Sequence, residues 1–178
     1  MSYTIEGHSH RLAAWAASRA ASVKGCRFKV HKGVAVLEAS GFGSAFSLAD
    51  LPKPALIDDE HRKWRTAVIA AAKKEKLVFT DGISAKLINC YMKVKFVCGG
   101  HHADERVSAL HPPIDRLLLG NLSKIDFEGH GNQWRKFCEQ GWSKFDSDTY
   151  EEVIKLIRST LPKNEPLWKI EEYWEGYQ

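Results

Sequence analysis

Along most of the chain, apolar positions recur every three or four residues, the period of a helix with one buried face. Residues 9 to 24 carry Leu12, Trp15, Ala16 and Arg19 at that spacing in an Ala-rich stretch, with Ser9 placed to cap the start and Gly25 to end it. From Asp58 a second helix has acids in its first turn and lysines in its last, as the helix dipole favours; Trp64, Val68, Ala71 and Ala72 form its stripe. A turn at Phe79-Thr80-Asp81-Gly82 leads into a third helix from Ile83, with Leu87, Ile88, Tyr91 and Met92 inward and Lys86, Asn89 and Lys93 on the opposite face. Further helices are predicted over Ile114 to Leu122, from Gln133 through Trp134 and Phe137, and from Asp148 until Pro162 stops the chain.

The period changes once. From Arg27 to Ala39, β-branched and aromatic residues alternate around Gly33, and this predicts a short β-hairpin. Residues 39 to 56, 98 to 110 and 123 to 132 are rich in Gly, Pro or mixed charge and are expected to be irregular, the second of them with a helical turn. The tail PLWKIEEYWEGY is too aromatic to stay in water and should dock on the body. The pattern therefore predicts a mainly α fold with one small N-terminal β-hairpin, and 178 residues suit a single domain.

Composition narrows the class. Hydrophobic residues make up 44% and charged residues 27%, as in ordinary globular proteins, and no apolar run approaches the length of about 18 needed to span a bilayer. With no basic start followed by an apolar signal core, a cytoplasmic protein away from membranes is expected. Cys26, Cys90, Cys98 and Cys138 are scattered and are read as reduced thiols; Cys98 with His101 and His102 hints at metal spacing, but without a second pair no metal site is expected. The net charge of +4 is unevenly spread: His61 to Lys95 holds nine Lys or Arg against two acids, whereas residues 146 to 178 hold eight acids and four bases. Such a block either faces a polyanion or is a solvated helix face.

Candidate chemistry lies between Val78 and Leu119. There a Gly turn feeds the helix carrying Lys86, and His111-Pro112-Pro113 delivers Asp115 to the start of another helix. Taken singly, a helical Lys is usually solvated and an Asp after Pro-Ile usually caps a helix. Taken together, Gly82-Ile83-Ser84-Ala85-Lys86-Leu87-Ile88-Asn89-Cys90 followed by Pro113-Ile114-Asp115 resembles the active-site signature of the helix-hairpin-helix DNA glycosylases, in particular the 8-oxoguanine glycosylase branch. Ser84 stands where that family's second hairpin glycine is usual, and His101 to Ser108 lengthens the stretch before the aspartate.

The resemblance implies a compact helix-hairpin-helix domain over residues 1 to 178, with Lys86 as catalytic lysine and Asp115 as catalytic aspartate. The family's cluster-binding cysteines are absent, so no iron–sulfur centre and no cofactor are implied. The expected partner is double-stranded DNA carrying a damaged or modified base, met by a monomer; the small size suggests a specialised substrate such as a modified base in phage DNA. Peptide N–H groups at Gly82 and Ser84 would grip phosphate, with Lys93 and Arg116 beside them. An extruded base would be met by His111, Trp15, Phe42 or Trp142, whereas Trp64 and Trp134 are read as core. Two rival readings remain: a non-catalytic helix-hairpin-helix DNA-binding module, and a small nuclease using His111, Asp115 and Arg116.

Overall fold

The computed structural model describes residues 3–176. Helix α1 (Ile5–Ala21) starts well before a cap at Ser9 would allow, because Thr4 accepts the Gly7 N–H and caps it. Its buried face is also not the Leu12–Trp15 stripe. Ala13, Ala14, Ala17 and Ala21 are wholly buried, while Leu12 and Trp15 are 53% and 54% exposed. Small side chains let one backbone approach another closely, and α1 uses its alanine face to lie against α4 (Asp81–Met92).

The predicted β-hairpin is corrected: Val30–Ala39 is a helix, α2, and no strand occurs among the described residues. The buried positions of α2 are Gly33, Val36 and Leu37, three and four residues apart as on one face of a helix, with Val34 and Phe28 packing at the edge of the same core. Gly33 is not a turn residue. A Cβ there would lie 2.2 Å from the Ser18 hydroxyl and 2.9 Å from the Phe28 ring, so glycine is the contact point between α1 and α2.

Residues 40 to 56 are irregular apart from two short 3-10 turns, and α3 (Ile57–Lys74) follows with Trp64, Val68, Ala71 and Ala72 buried as its stripe predicted. Helix α4 runs on into a π-helical stretch, Lys93–His101, which ends at Gly100 with φ +89°. After the single turn α5 (Glu105–Ser108) come α6 (Arg116–Lys124), α7 (Gly131–Gln140) and α8 (Ser147–Thr160), and then a 3-10 segment, Leu167–Tyr173, that docks the tail through Leu167 and Ile170.

Apolar side chains gather in two clusters. One joins α1, α2 and α3 to Ile83, Leu87, Ile88, Tyr91 and Met92 of α4. The other joins α6, α7, α8 and the tail around Trp134, and takes in Ala85 of α4. Helix α4 thus lies between them, and every residue from Gly82 to Asn89 is buried. The expected polar face of α4 is covered like the rest, so its Ser84, Lys86 and Asn89 all need internal partners. No described helix is long and apolar enough to cross a membrane.

Candidate active site

Lys86 is 7% exposed, so its ammonium must be matched by an acceptor. The acceptor is Asp115: Lys86 Nζ donates to Oδ2 at 3.0 Å, and the indole N–H of Trp174 donates to the same oxygen at 2.9 Å. The other oxygen, Oδ1, accepts the Leu118 N–H at 3.0 Å and caps α6. Burial works against ionisation of Asp115, but Lys86, the Leu118 N–H and the Trp174 indole outweigh it and hold the carboxyl below its ordinary value. Two residues 29 positions apart are thereby brought to one point.

A buried network sets that meeting. Asn89, one turn after Lys86 on the same face of α4, donates to the Pro112 carbonyl at 2.9 Å and to the Tyr150 hydroxyl at 3.0 Å. Its own carbonyl oxygen accepts from Nε2 of His61 at 2.8 Å, and Arg65 donates to Nδ1 of that ring, which fixes the neutral Nε2–H tautomer. His111 bonds the Tyr150 hydroxyl through Nδ1 and Asp58 through Nε2, and Arg158 grips Asp58 in turn. The His111-Pro112-Pro113 turn is therefore fastened at its start, and Pro113 and Ile114 carry the chain directly to Asp115.

Beside the pair opens a cleft of about 330 Å³. The indoles of Trp142 and Trp174 line it, together with Ala16 and Ala20 of α1, Cys90 and Pro113. The Lys86 amine lies 5.8 Å from the Trp142 ring centroid. Lys93 enters the same space over the Trp174 ring and is ion-paired with Glu171, whose carboxyl is pushed up by burial against the pull of Lys93. A roomier cleft of about 610 Å³ opens beside Phe46 and the buried Lys95, whose amine hydrogen-bonds neutral oxygens at 3.3 to 3.4 Å while the Glu6 and Asp50 carboxylates act on it from further away. Among the described residues, no amine and carboxylate in its lining are in direct contact. Among the described residues, no group of three or more His, Cys, Asp or Glu side chains is arranged to hold a metal ion.

The other expected site residues divide. Trp142 is at the cleft, and Trp174, Glu171 and Cys90 join it from positions that sequence reasoning did not assign to the site; only the aromatic richness of the tail pointed toward Trp174. Arg116 is exposed at the first position of α6, beside Asp115. Trp15 is exposed on α1, one residue from the cleft-lining Ala16 but not itself in the lining. His111 and Phe42 are not in the lining of this cleft: His111 is 4% exposed within the buried network, and Phe42 is 1% exposed against Trp64, Phe46 and Tyr91.

The open phosphate-gripping turn at Gly82 is corrected. The Gly82 N–H donates to the Phe145 carbonyl at 3.1 Å, the Ile83 N–H to the Thr80 hydroxyl and the Ser84 N–H to the Thr80 carbonyl. A Cβ on Gly82 would stand 1.8 Å from the Trp142 carbonyl oxygen, so this glycine serves the close approach of residues 142–145.

Part of the basic block turns inward: Arg65, Lys86 and Lys95 are buried and Lys93 is half-buried, whereas the other five cations are exposed. Arg65 is wholly buried between Asp81 and Glu151, Arg62 and Lys63 pair with acids, and Lys86 and Lys93 are occupied at the cleft. Only Lys73, Lys74 and Lys76 of the block stand exposed without an ion pair among the described residues. No known protein family, curated protein or solved structure matches the chain.

Proposed function

We propose that the chain is a DNA N-glycosylase that excises a damaged or modified base from duplex DNA. The observation that carries this reading is the 3.0 Å contact between Lys86 and Asp115 in the lining of a cleft that also holds two indoles. These are the two positions at which the helix-hairpin-helix glycosylase resemblance puts a catalytic amine and carboxylate. The cleft lining supplies two indoles against which a planar ring could stack, together with an amine and a carboxylate in contact.

Extruding a nucleotide costs a few kcal/mol, and stacking against Trp142 and Trp174 would offset part of it. The carboxylate of Asp115, kept ionised by its three donors, would stabilise positive charge on the deoxyribose as the glycosidic bond breaks. Lys86 would yield its extra proton to the departing base, which leaves with the bonding electron pair, and the freed amine would form the new bond at C1′. The nitrogen lone pair then breaks the C1′–O4′ bond and opens the sugar, with O4′ taking the proton given up by the nitrogen and staying as a hydroxyl; from the resulting imine, loss of a C2′ proton expels the 3′-phosphate and nicks the strand. If water takes the place of the amine, the product is an abasic site. The rival nuclease needs an accessible His111, and this ring is enclosed by Tyr150, Asp58 and His61.

The test incubates the protein with duplex oligonucleotides bearing a panel of damaged and enzymatically modified bases, followed by alkali or by borohydride. Alkali-labile sites are expected with at least one base. Asp115→Asn, which keeps a capping side chain on α6, should slow release by at least about a hundredfold. A borohydride-trapped adduct lost in Lys86→Gln identifies the imine. Phosphodiester cleavage of plain DNA without base release would overturn the reading in favour of a nuclease; intact binding and biological effect in Asp115→Asn would favour a non-catalytic module.

A further inference from the structure

Six exposed cations gather on two neighbouring turns, three of them from the basic block. The turn between α1 and α2 carries Lys24, Arg27 and Lys29, and the end of α3 with its following turn carries Lys73, Lys74 and Lys76; all six are exposed and none has an ion pair among the described residues. The two turns are in contact. The Phe28 and Phe79 rings are 5.3 Å apart, and Lys32 donates to the Glu75 carbonyl at 2.8 Å while facing its carboxylate. Glu75 is the lone acid in either segment, and no Asp or Glu occurs between Glu6 and Glu38.

Helix stability does not explain this concentration. Lysines in the last turn of α3 suit its dipole, but Lys29 sits at the N-cap of α2 without a capping hydrogen bond, and Lys32 lies in its first turn, where positive charge works against the dipole. The patch also has a fixed relation to the cleft. Helix α1 runs antiparallel to α4: His10 meets Tyr91 near one end, and Ala20 shares the cleft with Lys86 near the other. The chain enters the first basic turn directly after Ala21 and leaves the second at Thr80, the cap of α4.

We infer that these two turns form a phosphate-binding pad that holds duplex DNA beside the cleft, doing the work that the sealed peptide groups of Gly82 and Ser84 do not do. The inference rests on the DNA reading above and adds to it where the backbone is held. Unpaired cations on a rigid surface release counterions when they meet phosphates, so affinity should be sequence-independent and should fall steeply with salt.

Binding of a labelled duplex of unmodified bases is measured by anisotropy across a salt series. The wild type is compared with Lys24→Gln/Arg27→Gln/Lys29→Gln, with Lys73→Gln/Lys74→Gln/Lys76→Gln, and with Lys136→Gln/Lys155→Gln/Lys163→Gln, which removes the same charge from exposed positions elsewhere. Each pad triple is expected to lower the slope of log affinity against log salt by about 3, roughly one per cation, and the control triple to leave it unchanged. Equal effects of all three triples, or none, would overturn the pad, as would pad-dependent binding to phosphatidylserine vesicles without binding to the duplex. The failures are separable. Base release with no pad dependence removes the pad and leaves the glycosylase, whereas pad-dependent duplex binding with no base released from any substrate does the reverse.

Discussion

Oδ1 of Asp115 closes the first turn of α6 while Oδ2 receives both the Lys86 amine and the Trp174 indole, so one side chain is at once a helix cap and half of a buried ion pair. The residue types and their order were legible in the sequence, because Pro-Pro-Ile-Asp before an apolar run signals a capped helix and Lys86 stands at a fixed step from a turn. The Trp174 donor was not, since it arrives from 59 residues away and depends on how the tail docks. Trp174→Phe keeps an aromatic wall but deletes an N–H that favours the carboxylate. The pKa of Asp115 should rise, so the acid limb of base release in a pH–rate profile should move to higher pH, with release at neutral pH little changed; an unmoved limb would mean the indole does not tune the carboxylate.

At the scale of elements, α4 shows how a local pattern can be right about the helix and wrong about its surroundings. Leu87, Ile88, Tyr91 and Met92 face inward as their spacing requires, yet the face carrying Lys86 and Asn89 is covered as well, by the Pro112 turn, α8 and the tail. The same limit explains α2: valines at alternate positions read as a strand, and only the meeting of Gly33 with Ser18 and Phe28 shows why a helix with a bare side is needed there. Gly82 is the counterpart on α4. Gly82→Ala places a methyl group on the Trp142 carbonyl and should destabilise by about 3 kcal/mol in urea unfolding, with the 142–145 segment and its indole displaced. Because that segment walls the cleft, base release should fall along with stability.

For the molecule as a whole, the network of His61, Asn89, His111 and Tyr150 ties α3, α4 and α8 to the turn that delivers Asp115. Burial holds His61 far below its ordinary value of 6.5, reinforced by the neighbouring His111 and Arg65, and burial also lowers His111 although Asp58 pulls the other way. Both histidines are harder to protonate in the folded chain than once it unfolds. The unfolded state therefore binds more protons in acid, so stability is full above pH 6.5 and declines below it, by about 1.4 kcal/mol per pH unit for each histidine until the folded rings protonate. Urea midpoints measured from about pH 8 to about pH 5 should show this decline, and His61→Gln should flatten it. A midpoint that holds level across the range would mean that burial does not disfavour protonation of these rings.

The sequence by itself determined what depends on near neighbours: the helices other than α2, the tail's need to dock, and a lysine and an aspartate set at the entrances of two helices. Tertiary structure alone decided which faces are covered, that His111 and Phe42 belong to the interior, that Gly82 and Ser84 are sealed, and that a tail tryptophan completes the acid's coordination. Periodicity records the turn of the backbone, which each residue shares with the next few. Burial and hydrogen-bond partners are set by segments tens of residues away, and no local pattern carries that information.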